Sequence, residues 1–96
     1  MMTTDLKAAD FEDLQGQMFT VTSTDPNVEL KLIEVEKKAT GMREGGAFAL
    51  IWKGPRDLVL EQGTYAFSHS KMPVLEIFIV PVDEVDDGRI YEAVYA

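Results

Sequence analysis

Turn signals cut this chain into six or seven short runs rich in β-forming side chains, at intervals of roughly 10 to 17 residues. Gly16, Asp25-Pro26-Asn27, the glycines Gly41, Gly45 and Gly46, Gly54-Pro55, Gln62-Gly63 and Asp86-Asp87-Gly88 leave no room for a crossover helix between strands. Strands joined by turns pair antiparallel, so the spacing predicts an all-β fold, a small six- to seven-stranded barrel or a sandwich. A barrel is preferred, because closure removes sheet edges that so small a domain would struggle to protect. The 96 residues are expected to form one domain over 1–96. Surface scaling gives about 5,500 Å² of folded surface against about 15,500 Å² unfolded, enough for a single modest core.

Residues 5–15 place Leu6, Phe11 and Leu14 near helical spacing, with Asp5 as cap and Gly16 as stop, and predict one short helix ahead of strands spanning about 18–96. That helix would plug one barrel mouth or lie over Ile77 and Ile79. Residues 18–23 and 28–36 read as a hairpin, and the alternation of the second strand breaks at Leu32-Ile33. Either a bulge sits there or Glu34 points inward. Phe48, Leu50 and Trp52 share one face of the next strand, with small Ala49 opposite. Leu58-Val59-Leu60 reads as a short extended piece, and Tyr65, Phe67 and His69 share a face after it. The run 74–81 is apolar on both faces apart from Glu76, so its second face is expected to be covered.

Seventeen acidic against nine basic side chains give a net charge of −8, which opposes a phosphate backbone or an anionic membrane surface. Neither nucleic acid nor membrane is an expected partner. The absence of cysteine removes disulfides, thiolate zinc sites and thiol nucleophiles together. Thr3, Thr4, Asp5 and Lys7 interrupt any apolar leader, so a cytoplasmic location is expected, and no apolar run approaches the length of a membrane-spanning helix.

The order Phe11-x-x-Leu14-x-Gly16-x-x-Phe19, Leu30-x-Leu32-x-Glu34-Val35, Phe48-x-Leu50, Gly54-Pro55, Leu60-x-Gln62-Gly63-Thr64-Tyr65, His69, Phe78-x-Val80-Pro81 and Tyr91-Glu92-Ala93-Val94-Tyr95 resembles a family of small uncharacterised bacterial single-domain proteins. The likeness runs from Phe11 to Tyr95. The resemblance implies a stand-alone domain, associated in some members with phage-tail-like collar proteins, and it supplies no catalytic residues. The family pattern carries a Gly after the His loop, where this chain reads Ser70-Lys71-Met72-Pro73.

Candidate sites are few. His69 is the only histidine and the natural general base, but Ser68 and Ser70 lie on the other face of an extended strand, so a structural or loop-capping role is expected. Glu34 and Glu76 sit in apolar strands and read either as a paired acid/base site or as outward-facing carboxylates, Glu34 following a bulge and Glu76 guarding an edge. An inward Glu34 would be bound by Gln62 or Tyr65. The acidic run Asp83-Glu84-x-Asp86-Asp87-Gly88 lacks the spacing of a calcium loop and reads as a solvated hairpin. Gly45-Gly46 and Gly54-Pro55 read as turns and not as a phosphate cradle. Lys37, Lys38, Arg43, Lys53 and Arg56 cluster around the third strand, a pattern suited to an acidic partner or a second copy.

The reading is therefore of a non-catalytic structural or protein-interaction module without cofactor or metal, with a protein partner or itself and a homo-oligomer expected. Ile77 and Ile79, together with Tyr91 and Tyr95 of the tyrosine-rich last strand, are the expected interface. Its placing in a phage-tail-like particle, as component or assembly factor, follows from the resemblance alone. The alternative is a small-molecule-binding barrel whose pocket would be lined by Glu34, Trp52, Gln62, Tyr65, Phe67 and His69. An enzyme is not expected.

Overall fold

In the computed structural model, which describes residues 8–24, 27–37 and 48–95, the turn-punctuated runs become strands around a single apolar interior. A short helix α1 (Ala8–Glu12) precedes β1 (Met18–Val21), β2 (Val28–Lys37), β3 (Phe48–Gly54), β4 (Gly63–His69), β5 (Met72–Val85) and β6 (Gly88–Tyr95). The strands close into an antiparallel barrel in the order β1-β2-β3-β6-β5-β4, with β4 returning to β1 through Thr20↔Ser68 and Val21↔Phe67. The expected barrel is what forms, with six strands and not seven. Residues 58–60 are not a strand; they belong to the connection from β3 to β4. The Asp5 cap, the turn at 25–26 and the loop holding Lys38, Gly41, Arg43, Gly45 and Gly46 lie outside the described residues.

The helix ends at Glu12, three residues before the expected end, in a turn to Gly16, whose φ of 85° is the left-handed conformation that costs glycine least. It sits where β2 ends and β3 begins, with Phe11 fully buried and its ring 6.2 Å from that of Phe48. Gly16 N–H donates to the Leu32 carbonyl at 2.6 Å and Leu32 N–H to the Gln17 carbonyl at 3.0 Å, tying the chain behind the helix to β2. Of the two sequence expectations for the helix, the barrel end is the one it occupies.

Alternation decides what fills the interior. Phe48, Leu50 and Trp52 of β3 point inward, where the Trp52 ring packs edge-on to Phe19 at 4.9 Å and against Phe67 at 4.8 Å. From β5 come Leu75, Ile77 and Ile79, and from β6 Tyr91 and Ala93. Burial of each large apolar side chain contributes about 1.5–3 kcal/mol. Ala49, on the other face of β3, is buried as well.

At the break in β2 the register shifts between Leu32 and Glu34, so the bulge alternative is the one realised. Ile33 and Glu34 both emerge exposed. A second fixed point is the hairpin from β5 to β6, where a Cβ on Gly88 would stand 2.7 Å from the Gly54 carbonyl oxygen, too close for any other residue without backbone movement.

Candidate functional site

One strand carries two apolar faces into opposite surroundings. Along β5, Leu75, Ile77 and Ile79 are at most 3% exposed, whereas Val74, Phe78 and Val82 on the outside are 62%, 51% and 51% exposed. Nothing among the described residues supplies the cover expected for that outer row. Phe78 lies opposite Thr64 of β4, Glu76 opposite Ala66, and Val80 opposite Glu92 of β6, where the exposed Val94 adds to the patch. Glu76 is exposed, on the stretch of β5 that pairs with β4 ahead of the stretch from Val80 that pairs with β6.

The interface expected from sequence falls on the wrong side of these strands. Ile77, Ile79 and Tyr91 are fully buried in the barrel and cannot meet a partner; an Asp at Ile79 or Tyr91 would unfold the barrel and not merely dissociate it. The cause is a one-residue parity error: where both faces of a strand are apolar, pattern cannot say which is core. Tyr95 is half-buried and stacks on Phe48, centroids 4.8 Å apart and rings 9° from parallel. Sequence reasoning missed Val74, Phe78 and Val82; the signal available was Glu76, whose parity marks the outward face.

The residues expected to line a ligand pocket do not come together. Trp52 and Phe67 are packed into the core, and the Trp52 indole N–H is buried without a hydrogen-bond acceptor among aromatic rings. Glu34 is exposed on β2, so no inward carboxylate exists for Gln62 or Tyr65 to bind. His69 packs its ring 4.6 Å from Phe19, with Nε2 2.8 Å from Gln17 Oε1, while its Nδ1 accepts the Lys71 backbone N–H at 3.0 Å. Because a backbone N–H only donates, Nδ1 must be unprotonated, and Nε2–H donates to Gln17. Both ring nitrogens are engaged by protein groups, so the ring finishes the β4–β5 turn.

Gln62 and Tyr65 do share a cleft of about 500 Å³ with Thr24, Leu58, Val59 and Leu60, formed by the β3–β4 connection over one part of the barrel. Tyr65 Oη donates to the Glu61 carbonyl at 2.7 Å. The connection is anchored from inside: Leu60 N–H donates at 3.0 Å to the phenolic oxygen of buried Tyr91. Tyr91 is thus a core residue whose polar tip holds the wall of the cleft.

Cations engage the acidic β5–β6 loop. Lys53 Nζ stands 2.8 Å from Asp87, and Glu84 meets Arg56 at 3.2 Å and Arg89 at 3.4 Å. The Lys53 hydrogen bond and its positive charge hold the Asp87 carboxyl below the ordinary 3.8. Lys53 also borders a second groove, of about 410 Å³, with Met18, Lys31 and Pro55. Among the described residues no group of His, Asp and Glu side chains converges as a metal site would require, and no helix is long and apolar enough to cross a membrane.

No curated protein and no solved structure matches the chain. A family model does, over residues 6–95, almost the whole length and the same stretch in which the sequence motifs lie. The chain therefore belongs to the family described as a domain of unknown function, DUF6916.

Proposed function

We propose that this domain is a non-catalytic structural or protein-interaction module that binds through the outward face of β5, and that it serves as a component or assembly factor of a phage-tail-like particle. The observation that carries the interaction is the exposed row Val74, Phe78 and Val82 on a strand whose other face already supplies the core. Three large apolar side chains on one outer face exceed what folding needs, and such a patch is typical of a docking surface. The engagement of His69 by its own chain supports a non-catalytic role. The particle is what the sequence resemblance implies. Phe78→Ser/Val82→Ser tests the reading: with an unchanged circular dichroism spectrum, the variant is expected to lose whatever protein, or second copy, co-purifies with the wild type. Retention equal to wild type would overturn it, and tail-particle components among the lost proteins are the expected identity.

A second reading rests on the cleft at Tyr65, whose volume of about 500 Å³ falls in the range of small-molecule sites. In that case the ligand binds outside the barrel between Leu58 and Tyr65, and native mass spectrometry of the purified protein would show a retained mass that Leu58→Asp removes.

A further inference from the structure

We infer that the outward face of β5 receives a cationic segment with an apolar stripe from another protein, and not a second copy of this chain. The inference rests on the reading of that face as the interaction surface and asks what chemistry fits it. β4, β5 and β6 carry four carboxylates, Glu76, Asp83, Glu84 and Glu92, against a single cation, Arg89. Glu84 is taken by Arg56 and Arg89. Glu76, between Val74 and Phe78, and Glu92, opposite Val80, have no ion pair among the described residues. The apolar row is therefore rimmed by uncompensated negative charge.

Among the described residues, a second copy offers little to meet that charge. Of the basic side chains described, Lys53 is held by Asp87 and both Arg56 and Arg89 by Glu84, which leaves Lys31 and Lys71. Lys31 stands on β2, which the strand order places across the barrel from β5, and Lys71, in the β4–β5 turn, is a single cation beside the row against the two carboxylates. A symmetric contact of two β5 faces would set Glu76 and Glu92 against their own kind, an arrangement that costs affinity. Because the surplus on this face is a row of side chains, the partner lies across them and not in the hydrogen-bond ladder. From Val74 to Val82 the row is about 26 Å long at strand rise, the length of a helix of about 18 residues.

An 18-residue amphipathic peptide of Leu and Lys, with its Leu/Glu counterpart as control, tests this on the full chain by NMR titration and calorimetry. The Leu/Lys peptide is expected to bind with shifts centred on Val74, Phe78 and Val82, and the Leu/Glu peptide not to bind. Glu76→Lys/Glu92→Lys should weaken binding about tenfold with the apolar row intact, as should Phe78→Ser. Equal binding by both peptides, shifts centred elsewhere, or an unchanged affinity in Glu76→Lys/Glu92→Lys would overturn the cationic partner while leaving the face itself standing if Phe78→Ser still weakens binding. Insensitivity to Phe78→Ser would remove both. Self-association of the wild type that Phe78→Ser abolishes would keep the face and overturn this inference, because the partner would then be a second copy.

Discussion

The two faces of β5 have nearly the same composition and opposite fates. Leu75, Ile77 and Ile79 point inward beside Trp52 and Tyr91 in one interior, while Val74, Phe78 and Val82 meet solvent beside Glu76. The difference teaches that apolar character alone does not make a core. The inner side chains are buried because register with β4 and β6 aims them there, and the outer ones are left over by folding. The same substitution chemistry should therefore have large effects on one face and small ones on the other.

Ile77→Ala removes buried methyl groups from a closed interior and should cost about 2–5 kcal/mol, read as a lower midpoint in urea unfolding. A cost within the range of surface changes would break the comparison. Tyr91→Phe sharpens it, because the ring stays in place while the acceptor of the Leu60 N–H is lost. A loss of about 1–3 kcal/mol is expected, together with faster amide exchange at Leu60. Phe78→Ser, one position from Ile77 but facing out, should shift stability by no more than about 0.5 kcal/mol. Smallest of all is Asp87, fully exposed at the hairpin tip. Its lowered carboxyl contributes stability that is present above the ordinary 3.8 and is lost as pH falls through the folded value, so Asp87→Asn should flatten the stability profile slightly in that acid range and nowhere else. Added salt should shrink the difference, since the Lys53 pair lies at the surface.

Much of the fold was legible because its determinants are local. Turn chemistry at Gly16, Gly54-Pro55, Gln62-Gly63 and Asp86-Asp87-Gly88 marks where strands stop, and β-branched and aromatic runs mark where they run. The break at Leu32-Ile33 announced a bulge or an inward Glu34, and only pairing with β3 chooses between them. Residues 58–60 look like a strand by composition, yet a buried phenol fixes them as a loop, a contact that no local pattern contains. The candidate site was legible as an apolar surplus on 74–82 but not as to which half faces out. Glu76 held that information in one residue, outweighed by the tyrosines of β6. The alternation of Trp52 and Phe67 places them inside, which suits pocket lining as well as core; that the inside is filled depends on Phe19 arriving from β1.

Because the chain contains no cysteine, single cysteines can be placed along β5 without background. Thiol labelling of Ile77→Cys and Phe78→Cys, under native conditions and again in denaturant, tests the facing of this strand most directly. The account predicts fast native labelling at 78 and protection at 77 that only unfolding removes. Fast labelling at 77 with protection at 78 would contradict it, and with it the assignment of the outward face of β5 as the interaction surface.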